Sequence, residues 1–382
     1  MQQGARKPHR YATRKSRRTS WLLVRLLPLY LLTGCALGPP ALRASFVDYS
    51  SAYADISNRQ MLLNLARTAN YHPAYFLQLG NITTTFQFGA EASIGAEAGR
   101  QRPRGTKITE VGAEAALAGS YGEQPTFDFT PLSGKSFAQV ALSPIPRNVF
   151  FALYEQGFPA DLLLRGLVLS VTFEFPESGR RIVLSNIADL DRPERFLDFL
   201  RLAAIMRELQ LEQALFLTED AEGNPQFGFA PEIDALVQQL LARPGYRLDA
   251  DLGADLGGQR REPRRASLKM RTFSGALYTF ATESQLFDAI AARDPQMLER
   301  VPASQRRPIL RLRWPADAVL TPPVSTVDYL GKRYQIADPV DPELGVADTW
   351  NREAFSLLLY LYSQVSLDPS ELPASNFFRV LP

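Results

Sequence analysis

"FQFGAEASIGAEAGRQRPRGTKITEVGAEAALAGSYG", Phe86 to Gly122, has the Gly-, Ala- and Glu-rich composition of a linker. Its order is not that of a linker. Across 82–99 the even positions are Ile82, Thr84, Phe86, Phe88, Ala90, Ala92, Ile94, Ala96 and Ala98. The odd positions are Thr83, Thr85, Gln87, Gly89, Glu91, Ser93, Gly95, Glu97 and Gly99. One parity is nearly all apolar and the other polar or Gly, a period of two that excludes a helix. The return segment repeats this with the opposite parity: Thr109, Val111, Ala113, Ala115, Leu117, Gly119 and Tyr121 alternate with Glu110, Gly112, Glu114, Ala116, Ala118 and Ser120. Between them, "RQRPRGTK" has turn composition.

Opposed residues of an antiparallel pair share a face and have numbers of constant sum. A turn between Arg102 and Pro103 gives a sum of 205, and an odd sum pairs the two apolar parities. A slip of one residue mixes the faces, so the pattern specifies a register. The predicted element is a long amphipathic β-hairpin over 80–129. Ile82, Phe86, Phe88, Ile94, Val111, Leu117 and Tyr121 form its lipid- or partner-facing side. Gln87, Glu91, Ser93, Glu97, Glu110 and Glu114 form its lumen-facing side, and Arg100, Arg102, Arg104 and Lys107 its basic tip.

A two-stranded ribbon is not stable alone in water. Strands of about 55 Å at roughly 3.3 Å per residue also exceed the 9–11 residues or so that a membrane strand needs. One hairpin cannot close a barrel, but hairpins from several subunits can, and closure removes exposed edges. The expectation is a homo-oligomeric outer-membrane pore with an acidic lumen. Its design is similar to that of curli-secretion-type lipoprotein channels, without a shared motif. Two other readings stay open: a hairpin packed on a soluble periplasmic body that binds envelope proteins, and a Gly/Ala loop.

The location is read from the N-terminus of the 382-residue chain. Residues 1–34 carry eight basic residues (Arg6, Lys7, Arg10, Arg14, Lys15, Arg17, Arg18, Arg25) and no acidic ones. The net charge of +2 over the whole chain thus belongs to this leader, and the remainder holds 34 basic and 40 acidic residues. That balance gives no clustered basic face for nucleic acid. "WLLVRLLPLYLL" is an apolar run too short to span a membrane and is interrupted by Arg25 and Pro28. "LTGC" at Leu32–Cys35 follows it and resembles the lipobox of bacterial lipoproteins. The resemblance implies cleavage before Cys35, acylation of its thiol and new amino terminus, and membrane attachment through it. Ala36 after the lipidated cysteine implies the outer membrane, with the body in the periplasm. Cys35 is the only cysteine, so no thiol is left for a disulfide or for catalysis.

The remaining pattern predicts an α+β fold: a tether over 35–54, a body over 55–79 and 130–248, a polar linker over 249–267 and a C-terminal part over 268–382. Gly38-Pro39-Pro40 predicts extended chain, and Met61, Leu62, Leu65 and Ala66 a helix over 55–69. The run 130–173 reads as helices broken at Pro144–Pro146 and Gly157–Pro159, and "DRPERFLDFLRLAAIMRELQLEQ" as a helix capped by Asp191. "RRIVLSN", "ALFLTED", "NPQFGFA", "SLKMRTF", "PILRLRWP", "VSTVDYL" and "KRYQIAD" read as strands, and "TWNREAFSLLLYLYSQVSL" as a buried helix.

The sequence holds no pattern for catalysis or a cofactor. Its histidines are His9, in the leader, and His72, beside Pro73 at a helix end. No phosphate loop, nucleophile elbow or Cys/His cluster is present. "DADLGADLGG" lacks the order of a calcium loop, and "RREPRRAS" (Arg260–Ser267) reads as a solvated basic loop.

Three stretches together resemble a family of uncharacterised proteobacterial outer-membrane lipoproteins: "NRQMLLNLARTANYHPAYFLQLGNITTTF", "YGEQPTFDFTPLSGKSFAQVALSPIP" and "YLGKRYQIAD" with "SLLLYLYSQVSLDPSELPAS". The resemblance implies a shared fold and envelope location. It brings no activity and no catalytic residues.

Overall fold

A computed structural model describes residues 38–96, 113–175, 178–189, 191–219, 223, 225–248, 265–341, 343–365 and 378–379. The fold is α+β, with several small antiparallel sheets. By its contacts the chain divides into Met1–Ser57 and Asn58–Pro382.

Helix α1 runs from Gly38 to Ala69. This replaces the expected extended tether from residue 38 onward. Pro39 and Pro40 fall in the first turn, where backbone N–H groups have no helical acceptor and proline costs nothing. The helix ends with Tyr71 at φ 59°. His72 N donates to Arg67 O at 2.9 Å and Tyr71 N to Thr68 O at 3.0 Å, a Schellman closure that turns the chain into the first strand.

Strands β1 (Phe76–Ala96) and β2 (Ala113–Leu132) form the antiparallel ribbon, and β10 (Phe378–Arg379) pairs with β2. Helices α2 (Lys135–Leu142), α3 (Arg147–Glu155) and α4 (Ala160–Leu167) follow, broken at the two proline sites as the sequence predicts. The helical reading fails after Leu167. β3 (Val168–Phe175) is the central strand of a sheet in the order β4–β3–β7, with β4 Arg180–Ser185 and β7 Arg265–Met270. "VLSVTFEF" continues the apolar run of α4, and only its β-branched and aromatic content marks the change. Because β7 pairs with β3, segments on both sides of 249–267 share one sheet. Residues 249–264 lie outside those described.

Helix α5 (Glu194–Leu211) packs beside α4. Pro193 precedes it and no side chain caps it, so Asp191 is not the expected N-cap. Asp191 instead accepts from Arg293 at 3.2 Å. β5 (Leu215–Glu219) and β6 (Pro225–Phe229) form a hairpin, followed by α6 (Ile233–Leu241). The strand expected over "SLKMRTF" ends at Met270, and helix α7 (Phe273–Arg293) begins at its last residue, with α8 (Pro295–Glu299) following. β8 (Ser325–Tyr329) and β9 (Lys332–Ile336) meet at Leu330–Gly331, both with positive φ, and α9 (Trp350–Val365) closes the body.

"PILRLRWP" is not a strand. Its main chain is held piecemeal: Ile309 N donates to the Glu283 carboxylate, Arg311 N to Asn351 Oδ1 at 2.7 Å, and Leu312 O accepts from Gln335 N at 2.9 Å. Its apolar residues Ile309, Leu310 and Leu312 are buried all the same.

Every residue of α4 is buried, including Asp161 and Arg165. Arg165 Nη2 meets Glu283 of α7 at 2.9 Å and Arg307 O at 2.8 Å, while Gln305 Nε2 donates to Asp161 Oδ2 at 2.8 Å. The network ties α4, α7 and the 305–309 segment together at the centre of the core. Removing one partner of a buried pair strands the other charge, a loss of about 3–5 kcal/mol. Glu283→Ala is therefore expected to lower unfolding free energy by about that amount in urea titration; a change below about 1 kcal/mol would show that the pair is not a central tie.

Candidate functional site

The ribbon begins where α1 hands its chain to β1. Asn64 Nδ2 donates to Tyr75 O at 2.7 Å and its Oδ1 accepts from Tyr75 N at 2.9 Å. Four residues earlier, Gln60 Nε2 donates to Leu77 O at 2.9 Å and its Oε1 accepts from Leu77 N at 2.8 Å. The spacing follows from geometry: four helical residues rise about 6.0 Å and two strand residues about 6.6 Å. Two side-chain amides thus act as a short strand along the edge of β1. Between them, Phe76 enters the core and stacks on Tyr362 at 4.8 Å, with Phe273 at 5.8 Å. The opposed Leu132 is buried as well. Sequence reasoning assigned no role to Gln60 and Asn64. Their i, i+4 spacing just before a strand is the only signal they leave.

The register changes once along the ribbon. At the base, Phe76 pairs with Leu132 and Leu79 with Phe129, each pair summing to 208. Gly80 and Asn81 then lie against Asp128 alone, a β-bulge. Beyond it Ile82 pairs with Phe127, and the sum is 209 up to Ala96 and Ala113. Continued, the lower register would set Phe88 opposite Ser120 and Ile94 opposite Glu114. The extra residue instead sets Phe88 opposite Tyr121, Ala92 opposite Leu117 and Ile94 opposite Ala115.

The expected sum was 205 and the observed one is 209. Both are odd, so parity holds while the pairing differs. Alternation fixes a register only to within even steps, because an even slip leaves both faces intact.

Ile82, Phe86, Phe88, Ile94, Leu117 and Tyr121 thus fall in one parity class of the ribbon, and Gln87, Glu91, Ser93 and Glu114 in the other. Two residues of the apolar class are polar: Thr84, opposite Pro125, and the charged Glu123, opposite Phe86. Val111, Glu97, Glu110, the tip residues Arg100, Arg102, Arg104 and Lys107, and the lipidation candidate Cys35 lie outside the described residues.

At its base the body buries Thr130 and Leu132, the even class of β2, while Pro131 and Leu77 on the other class are exposed. The apolar class beyond the bulge is the odd class of β2. It therefore continues the exposed side of the base. Among the described residues, the only strand besides β1 that pairs with β2 is β10, at Asp128 and Phe129, and β1 has no second strand partner.

Among the described residues no group of His, Cys, Asp and Glu is placed to hold a metal ion, and no helix is long and apolar enough to cross a membrane. His72 sits at the helix end with Nδ1 2.6 Å from the Tyr329 hydroxyl. Of the basic loop Arg260–Ser267, residues 265–267 open β7.

The register can be tested by cross-linking. Ala92→Cys with Leu117→Cys places two thiols on directly opposed positions and is expected to oxidise readily to a disulfide. Ala92→Cys with Ala116→Cys places them in opposite classes and is expected to stay reduced; preferential oxidation of this second pair would contradict the bulged register. No known protein family, curated protein or solved structure matches the chain.

Proposed function

We propose that this chain is an outer-membrane lipoprotein, anchored through Cys35, whose ribbons from several copies assemble into a shared membrane-inserted barrel. The observation that carries the reading is the change of class at the bulge. The body takes up one face of the ribbon at its base, and the apolar residues beyond belong to the other class. An arm packed on its own body would keep its apolar residues on the class the body buries. Length supports the same reading: 21 residues in β1 span about 70 Å at roughly 3.3 Å per residue, well beyond what one bilayer crossing uses. So do the long strand edges that have no strand partner among the described residues, which a closed ring of ribbons would satisfy.

In this reading Gln87, Glu91, Ser93 and Glu114 line the lumen, which favours cations. The alanines of the apolar class bury little area each, so insertion would depend on closure of the whole ring rather than on one hairpin. Envelope proteins that pass through or dock on the ring are the partners implied.

Ala92→Arg tests this directly. A cation on the lipid side of a barrel costs about 2–4 kcal/mol at the midplane, and each subunit carries it. The expected result is loss of the detergent-extracted oligomer with the thermal melt of the body unchanged. An intact membrane oligomer would contradict insertion of this face, and a water-soluble monomer in the unmutated acylated chain would favour the packed arm.

A further inference from the structure

Far from the ribbon in sequence, the segment after α8 and the start of α9 enclose a cleft of about 180 Å³. Arg306, Arg307, Arg311, Trp314, Asp348 and Trp350 line it. Three arginines and one carboxylate are thus among the lining residues; Arg306 spends Nε on Val301 O and Nη2 on Glu299 O, and Asp288 meets Arg311 Nη2 at 3.0 Å from outside the lining.

The cleft is held by bonds that use some of its donors and leave others over. Asn351 accepts from Arg311 N and donates to Arg311 O at 2.8 Å and to Ala337 O at 3.0 Å. Asp348 accepts from Trp350 N at 3.0 Å and binds Arg307 Nη1, fixing the guanidinium plane 4.2 Å from the Trp350 ring centre. The Trp350 indole N–H is spent on Pro308 O at 3.2 Å. Two donors are left over. Arg307 Nε and Trp314 Nε1 are both buried and neither has a hydrogen-bond partner. Buried donors are nearly always paired, and an unpaired one costs about as much as the hydrogen bond it lacks.

We infer that this cleft is a binding site for an oxyanion, the phosphate or carboxylate group of a small ligand, received by Arg307 Nε, Trp314 Nε1 and the Arg311 guanidinium. An acceptor-only group supplies what both orphaned donors need, and a planar oxyanion matches the fork of an arginine. The volume suits one such group with a few further atoms, since a water molecule takes about 30 Å³ of liquid. Burial also pushes the Arg307 guanidinium down from its usual range, against the opposing pull of Asp348. An incoming anion would offset that loss of solvation. The inference is independent of the ribbon and of its membrane reading.

The chain provides its own probe. Its three tryptophans are Trp21, Trp314 and Trp350. In full-length Trp21→Phe protein, every tryptophan lies in the cleft. Titration of this variant in detergent with sodium phosphate, and separately with sodium acetate, at ionic strength held constant with chloride, is expected to give a saturable change in tryptophan emission. Saturation by phosphate alone assigns a phosphoryl ligand, and saturation by acetate a carboxylate. Arg311→Gln is expected to raise the midpoint about ten- to hundredfold, the worth of one charge-assisted hydrogen bond. Trp314→Phe keeps the ring, removes the N–H, and should weaken binding too, with Trp350 still reporting. No saturable change with either anion, or equal midpoints in the parent and Arg311→Gln proteins with matching far-ultraviolet spectra, would overturn the inference.

Discussion

The structure depends on one extra residue. Between Leu79 and Ile82 the ribbon must satisfy two demands that one register cannot meet. The body requires Phe76 opposite Leu132, because both enter the core. The long alternating segments require even positions of β1 opposite odd positions of β2. A bulge meets both, at the cost of one unpaired residue and a local kink. It stands at the exit from the body, where a kink also sets the direction in which the ribbon leaves.

That exit is braced from one side by α1. The Gln60 and Asn64 amides bond to the edge of β1 as a strand would, so the last turns of the helix and the first residues of the ribbon are one mechanical unit. β10 reaches β2 at Asp128 and Phe129, against the residue the bulge straddles. The ribbon is therefore braced at its root by α1 and by β10. Such a device transmits the position of a folded body to a long two-faced arm. It does not need the arm to pack on that body.

The alternation of the ribbon was legible because period two is written directly in residue order, and it gave the faces. It could not give the pairing, which parity leaves undetermined by even steps, nor the bulge, whose Gly80 and Asn81 read as an ordinary part of the strand. β3 was hidden because α4 is wholly buried and the start of β3 continues its apolar run, so no polar stripe marks where period 3.6 ends. "PILRLRWP" shows the reverse: strand-like alternation in a segment whose bonds go to Glu283, Asn351 and Gln335 instead of a ladder. The buried Arg165–Glu283 pair and the arginine–tryptophan cleft join residues far apart in the chain. No local pattern announces such meetings, since they arise only once α4, α7 and α9 have packed.

In the proposed assembly the ribbon completes itself with copies of the same chain. The most direct measurement is the native mass and particle symmetry of the full chain, expressed with its leader and extracted in mild detergent. The proposed assembly predicts a ring of several identical chains, with one ribbon from each in a central barrel. A monodisperse particle of a single chain, with the ribbon lying on its own body, would contradict it.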